Sequence, residues 1–157
     1  MSKGQSESSV RVSREDTLFV RDACLCLHAQ RAARALARRF DTAFRPFGLT
    51  NGQFSMMMSL NRPEAPTLQA VAALLAMDRT TVTAKLKPLV RRGLVEVSVD
   101  PDDRRGRRLA LTDDGRALLA EAFPVWKRVH AEVEEEAQAV RPEFGADRLR
   151  ADLLVLS

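Results

Sequence analysis

The sequence lacks most of the features that mark an enzyme, a secreted protein or a membrane protein. Tyrosine is absent from its 157 residues and histidine occurs only twice. It contains no glycine-rich phosphate loop, no nucleophile elbow and no histidine pair at metal-binding spacing. It also has no run of about 18 apolar residues and no apolar signal segment at the N-terminus. We therefore expect a cytoplasmic protein without enzymatic activity, cofactor or membrane span.

Cysteine is also scarce, since Cys24 and Cys26 are the only two. Two cysteines are too few for a disulfide framework, and on a helix residues two apart point about 200° away from each other. Cys24 and His28 share a helix face, but no third ligand accompanies them, so we predict no metal site. Buried, unreactive thiols are expected, because a redox role would need a thiolate stabilised by nearby positive charge or hydrogen bonds.

Basic residues, by contrast, are plentiful and are concentrated in the middle of the chain. The formal net charge is +4. Residues 79–108 carry nine basic and four acidic side chains, whereas residues 113–157 carry six and ten. Average composition does not produce such a patch, but a nucleic-acid-binding face requires one. The alternative is a solvated, charged surface without a partner.

Helical periodicity begins after a polar, serine-rich start, residues 1–15, which we expect to be disordered or loosely ordered. Apolar residues at steps of three, four or seven then predict one long helix over residues 16–47. A second helix is predicted from Thr50, its capping residue, to about Asn61.

Two shorter helices follow, separated by a short turn. Thr67 is expected to cap the first of them, which turns Leu74 inward. Asp78 is expected to cap the second, which turns Val90 inward and ends at Gly93. The polar residues of this second helix are left on its outer face.

Two alternating segments, LVEVSVD and RRLALT, flank the turn-forming tip PDDRRG. Alternation with a period of two around such a tip predicts a β-hairpin. Thr112 is expected to cap a further long helix that runs to Val140, and a short apolar helix closes the chain. Helix, turn, helix and hairpin make a winged helix-turn-helix. The predicted fold is therefore mostly α with a two-stranded β wing (α+β), set within a helical dimerisation frame.

Three segments resemble the MarR family of bacterial transcription regulators in order and spacing: RPFGLTNGQFSMMMSL, MDRTTVTAKLKPLVRRGLVE and DPDDRRGRRLALTDDGRALL. The resemblance implies a homodimer held by N-terminal helices (16–62) and C-terminal helices (113–157), with the DNA-binding lobe over residues 63–112. It also implies a repressor of pseudo-palindromic, double-stranded operators. A small phenolic or lipophilic ligand, bound between the dimerisation helices and the lobe, is expected to relieve the repression.

The same resemblance assigns candidate DNA contacts. It places the helix after Asp78 in the major groove, where arginine and threonine side chains read base edges. It places the wing tip in a minor groove, whose negative potential attracts arginine, with Asp103 orienting Arg105. The predicted contacts are Arg79, Thr80, Thr81, Thr83, Lys85, Lys87, Asp103, Arg104 and Arg105.

Residues for the effector and for other functions complete the predictions. The ligand-pocket candidates are His28, Arg31, Met57 and Met58; arginine suits a carboxylate and methionine adapts to varied ligands. Cys24 and Cys26 are the candidates for a redox sensor, although the cysteine position of the family's peroxide sensors corresponds to a site near Gln30. A non-specific architectural DNA-binding protein and a protein-interaction module with an acidic partner are the remaining alternatives.

Overall fold

The structure is a computed structural model that describes residues 11–156. Most of the predicted tail, residues 1–15, therefore lies outside the described residues. The elements in chain order are α1 (Arg14–Ala23), α2 (Leu25–Phe44), a 3₁₀ turn (Arg45–Phe47), α3 (Asn51–Leu60), α4 (Leu68–Leu74), α5 (Arg79–Arg91), β1 (Val95–Val99), β2 (Arg107–Leu111), α6 (Asp113–Val140) and α7 (Ala146–Leu154). The sheet is two-stranded and antiparallel, so the predicted fold class is confirmed.

The chain forms two compact units, one up to Leu36 and the other from Ala37 onward. The first unit holds α1 and the larger part of α2. The second unit holds the end of α2 and all the later elements. Among residues 11–156, no helix is both long and apolar enough to cross a membrane.

Within the first unit, the prediction of one continuous helix over residues 16–47 is wrong, because the helix is interrupted at Cys24. Cys24 adopts an extended conformation with ψ of 105°. It then acts as the cap of α2: its carbonyl accepts the His28 N–H at 3.1 Å and its Sγ accepts the Leu27 N–H at 3.4 Å. Neither glycine nor proline marks this break in the sequence, which is why periodicity alone did not reveal it.

The helices of the second unit start where side-chain caps are available. The four predicted caps all accept the backbone N–H of the residue three positions later, which satisfies a donor that the helix leaves free. These caps are Thr50, Thr67, Asp78 and Thr112. The observed helix starts therefore agree with the predicted ones.

A single apolar core holds the second unit together. Its largest fully buried side chains come from the end of α2, from α3, α4 and α5, and from β2: Phe44, Met56, Met57, Leu89, Leu109, Val71 and Val82. The rings of Phe44 and Phe54 stack with centroids 4.5 Å apart, which fixes α3 against the end of α2. Arg39 of α2 also forms ion pairs with Glu132 and Glu136 of α6. The core thus gives α5 and the hairpin a rigid base.

The hairpin is fixed to the core of the second unit at both of its ends. Its strands pair from Val95 opposite Leu111 to Val99 opposite Arg107. The N–H of Leu109 also donates to the Pro66 carbonyl at 3.0 Å, which fastens β2 to the segment before α4. At the start of α6, a Cβ on Gly115 would lie 2.0 Å from the Leu94 carbonyl oxygen, so only glycine permits this approach.

Two inward orientations that the sequence predicts are wrong. Leu74 is 57% exposed because it lines an open cavity beside α3 and α6. Val90 is 39% exposed because it lines a groove between α5 and the hairpin. Both residues lie near the C-terminal end of a short helix, where the apolar stripe has already turned away from the core.

Candidate nucleic-acid interface

The outer face of α5 carries a row of exposed residues at helical spacing. Thr80, Thr83 and Lys87 follow one another at steps of three and four, with Arg79 at the start of the row. Ala84 lies among them, and these five residues line one shallow concavity. The sequence prediction included four of the five and missed Ala84, because an alanine carries no polar signal. Within the described residues, the Arg79 and Lys87 side chains form no hydrogen bond or ion pair.

Two other predicted contacts lie on the flank of α5 rather than on its outer face. Thr81 and Lys85 are both half-buried. The Thr81 hydroxyl donates to Asp78 Oδ2 at 2.6 Å, and this contact is the main cause of the lowered pKa of the Asp78 carboxyl. Lys85 Nζ lies 3.1 Å from the position that a Cβ on Gly52 would occupy, so its side chain runs toward the start of α3. Thr81 thus helps to cap the helix.

The wing tip presents the two arginines that the sequence assigned to a groove. Arg104 and Arg105 are exposed, and neither guanidinium has a hydrogen bond or ion pair among the described residues. Asp103 Oδ1 accepts the backbone N–H of Arg105 at 2.9 Å. Asp103 therefore positions Arg105 through its main chain and does not contact its guanidinium. The Arg105 side chain is left free to meet a partner.

The other two arginines of the DRRGRR segment are used within the wing itself. Arg107 donates to the carbonyls of Arg104 and Gly106, at 3.2 and 2.8 Å. Arg108 Nη1 donates to the Ala65 carbonyl at 3.2 Å, and its Nε lies 3.1 Å from Asp100 Oδ1. The contact with Ala65 braces the hairpin against the loop before α4, and the other contacts hold the hairpin tip together.

Asp100 is the buried centre of this brace, and its role was not predicted from the sequence. It is 6% exposed, and it accepts the Asp102 N–H at 3.1 Å. That hydrogen bond, together with Arg108, keeps the pKa of the Asp100 carboxyl below its ordinary value. A Cβ on Gly106 would lie 2.9 Å from Asp100 Cβ, so the hairpin tip closes over Asp100 only with glycine there.

An apolar cavity of about 390 Å³ lies between α3, α4 and α6. Its lining is aromatic and aliphatic apart from two serines and one arginine: Phe54, Ser55, Met58, Ser59, Arg62, Leu74, Leu75, Phe123 and Trp126. The Arg62 guanidinium forms no hydrogen bond or ion pair within residues 11–156. The cavity therefore combines apolar walls with a single unpaired cation, an arrangement suited to a small amphipathic molecule.

The predicted pocket residues are distributed unevenly around this cavity. Met58 lines it and is 38% exposed, whereas Met57 is fully buried in the core. His28 and Arg31 are exposed residues of the first unit. The aromatic side chains of α6 were missed, because helical periodicity assigns such residues to the core.

The cysteines differ from the expectation of buried thiols. Cys24 is half-buried and Cys26 is exposed, and neither forms a disulfide. Gln30 donates a side-chain N–H to Cys26 Sγ at 3.2 Å. Because Cys24 interrupts the helix, the two thiols do not project from opposite faces of one continuous helix.

Comparison with known proteins agrees with this geometry. The model of the MarR family matches residues 49–106, which run from the start of α3 to the wing tip. The M. tuberculosis transcriptional regulator MosR, solved in complex with DNA, is 40% identical over 85% of this chain and 92% of its own, with a TM-score of 0.73. The chain belongs to the MarR family.

Two further relatives support the assignment. The transcriptional repressor CouR, solved on a 23-mer DNA duplex, is 28% identical over 94% of this chain and 96% of its own, with a TM-score of 0.68. The repressor NicR of Pseudomonas putida is 35% identical over 82 residues, which are 52% of this chain and about half of NicR. As a member of the MarR family, this chain is a winged helix-turn-helix transcriptional regulator and not an enzyme.

Proposed function

We propose that the protein is a homodimeric repressor that binds a specific double-stranded operator. Two sets of exposed, unpaired basic side chains, one on α5 and one on the wing tip, are the main support for this proposal. Arg79 and Lys87 stand on a helix that fits the major groove. Arg105 stands on a thin hairpin that fits the negative potential of the minor groove.

The proposed contacts in the major groove are Arg79, Thr80, Thr83 and Lys87, with Thr81 and Lys85 beside them. At the wing, Arg105 enters the minor groove, Arg104 contacts the backbone beside it, and Asp103 fixes the main chain between them. Each cation that reaches a phosphate releases counterions, so the affinity falls steeply as salt rises.

A dimer follows from the geometry of DNA, because two recognition helices bind successive half-sites about 34 Å apart. The terminal helices offer apolar surface for a second copy. In the first unit, Phe19 and Leu25 are 72% and 71% exposed, and in the second, Val155 is 84% exposed. Such side chains are rarely left in water in groups. Residues 16–62 and 113–157 are therefore proposed as the dimerisation frame and residues 63–112 as the DNA-binding lobe.

The cavity beside α4 is the proposed effector site. α4 precedes the recognition helix directly, so a ligand that moves α4 also moves α5. The apolar walls favour an aromatic or lipophilic body, and Arg62 favours an acidic group on it. Benzoate should then lower the operator affinity more than neutral phenol does, and Arg62→Ala should remove that difference. Equal effects of benzoate and phenol on the native protein would contradict the role of Arg62.

The experiment that tests the main proposal is a fluorescence-anisotropy titration at about 150 mM salt. The protein is titrated against a duplex enriched from a random-sequence library and against a scrambled duplex. A specific repressor prefers the enriched duplex by at least about 10³-fold and binds as two subunits. Equal, weak binding to both would indicate an architectural DNA-binding protein, and no binding would favour a protein-interaction module.

The interruption of the helix at Cys24 favours a second candidate function, a thiol switch. A bond between Cys24 and Cys26 requires non-helical backbone, and Cys24 already has it. Under peroxide, the native protein should lose operator affinity and regain it with a reducing agent, while the Cys24→Ser, Cys26→Ser variant should not respond. A variant that still responds would place the sensing elsewhere.

A further inference from the structure

The centre of the α5 outer face is small and apolar, although its ends are cationic. Thr80, Thr83 and Ala84 occupy the centre, between Arg79 and Lys87. Their spacing of three and four residues makes them neighbours on one stripe of the helix. A face that enters a major groove therefore meets the base edges with methyl groups at its middle and with charges at its two ends.

The hydrogen bonds of the threonines strengthen this apolar character. The Thr83 hydroxyl donates to the Arg79 carbonyl at 2.8 Å, one turn earlier in the same helix. The hydroxyl is thus turned toward the helix backbone, and the methyl group is the outer part of the side chain. The Thr81 hydroxyl is likewise used, since it donates to Asp78. Among the three threonines of α5, only Thr80 has a hydroxyl that forms no hydrogen bond within the described residues.

The residue types of α5 limit how it can distinguish bases. Its sequence, RTTVTAKLKPLVR, contains no asparagine, glutamine or acidic residue. The usual bidentate contact to adenine and the usual acceptor for cytosine are therefore missing from this helix. Arginine and lysine can read guanine. Apolar contact with the 5-methyl group of thymine is then the main mode that remains for A·T pairs, beside a single hydrogen bond from the free Thr80 hydroxyl.

We infer that the stripe of Thr80, Thr83 and Ala84 recognises thymine methyl groups near the centre of each operator half-site. Arg79 and Lys87 then read guanines or contact phosphates toward the ends. The inference rests on the proposed binding of DNA through α5. It names the chemical group of the DNA that α5 recognises, the 5-methyl group of thymine.

The test replaces thymine by uracil in the enriched duplex, one half-site position at a time and then symmetrically in both half-sites. Uracil keeps the base pairing and removes only the 5-methyl group. Each critical position should lower the affinity about fourfold, the effect of one buried methyl group, and symmetric replacement about tenfold or more. Affinities within twofold of the native duplex at every position would overturn the inference while leaving operator binding intact.

Two matched variants of Thr83 separate the methyl group from the hydroxyl. Thr83→Val keeps a methyl group at the surface and removes the hydroxyl, so it should still lose affinity when thymine is replaced by uracil. Thr83→Ser keeps the hydroxyl and removes the methyl, so it should bind more weakly and discriminate less between thymine and uracil. The reverse order would overturn the inference. Thermal unfolding of both variants verifies that each is folded.

The library selection separates the inference from the proposed function. A library in which no sequence is enriched would contradict specific DNA binding, and the inference would fail with it. An enriched duplex that binds tightly but tolerates uracil would contradict the methyl readout alone. An enriched duplex that loses affinity at central thymines in each half-site would support both.

Discussion

The recognition helix and the wing carry similar positive charge, but they use it differently. On α5, the cations Arg79 and Lys87 are unpaired, and the first arginine after the helix, Arg92, is bound to the protein. In the wing, Arg105 at the tip is unpaired, and Arg108 on β2 is bound to Asp100. In both regions the unpaired basic side chains extend into solvent, and the paired arginines lie where two segments of the chain meet.

A count of basic residues does not distinguish arginines that are free to bind a partner from arginines that stabilise the fold. An arginine whose guanidinium has no partner in the protein retains its full capacity to bind a phosphate or a base edge. An arginine that donates to backbone carbonyls stabilises the fold, and binding DNA would require it to give up those contacts. The density of charge in residues 79–108 therefore overstates the size of the proposed DNA-contacting surface.

The largest effect is expected for Arg105→Ala. Because Arg105 has no partner within the described residues, its removal should leave the thermal stability unchanged. It should weaken operator binding by roughly 1–3 kcal/mol, which is about 5- to 150-fold. The measurement is fluorescence anisotropy on the enriched duplex at fixed salt, together with thermal unfolding.

A control for the change of net charge is Arg148→Ala, which removes an exposed arginine of α7. It should leave the affinity within about twofold of native, because Arg148 lies outside the proposed DNA-binding lobe and salt screens a charge that contacts no phosphate. Equal losses for the two variants would mean that Arg105 acts only through overall charge. The distinction between free and bound arginines would then have no functional meaning at the wing.

An intermediate effect is expected for Arg92→Ala, this time on stability. Arg92 donates to the carbonyls of Gly48 and Phe47, at 2.6 and 3.0 Å, and so joins the end of α5 to the turn before α3. Losing these charge-assisted hydrogen bonds at an exposed site should lower the free energy of unfolding by about 1–2 kcal/mol. Urea-induced unfolding of the two proteins measures the change.

The matched control is the preceding residue. Arg91 is exposed and its side chain has no hydrogen bond or ion pair among residues 11–156, so Arg91→Ala should change stability by less than about 0.5 kcal/mol. If both variants lost the same stability, the two hydrogen bonds of Arg92 would not be its contribution to the fold.

The sequence predicted what depends on local rules and missed what depends on tertiary contacts. The caps Thr50, Thr67, Asp78 and Thr112 were predicted, because a cap acts on residues only three positions away. The role of Arg108 was not, because its contact with the Ala65 carbonyl joins the hairpin to the loop before α4, which is distant in sequence. The role of Asp100 was not, because it meets Asp102 and Arg108 only once the hairpin tip has closed. The break at Cys24 was missed for a different reason: its Sγ replaces the usual oxygen cap.

The smallest effect is expected at the wing, from the charge of Asp100. Its pKa is lowered in the folded protein, so its charge contributes stability above the unfolded value of 3.8, and this contribution is lost as the pH falls through the folded value. Asp100→Asn keeps an oxygen that can accept the Asp102 N–H, but it removes the charge that faces Arg108. The melting temperature of the variant should lie below that of the native protein at pH 7, by less than about 4 °C.

The pH dependence of that difference is the decisive measurement. Below the folded pKa the native Asp100 is protonated, so both proteins then carry a neutral side chain and the two melting temperatures should converge. A difference that stays constant from pH 7 to below the folded pKa of Asp100 would mean that the shape of the side chain, not its charge, braces the wing. Arg108 would then be held by the Ala65 carbonyl and by Asp102, without a contribution from the charge of Asp100.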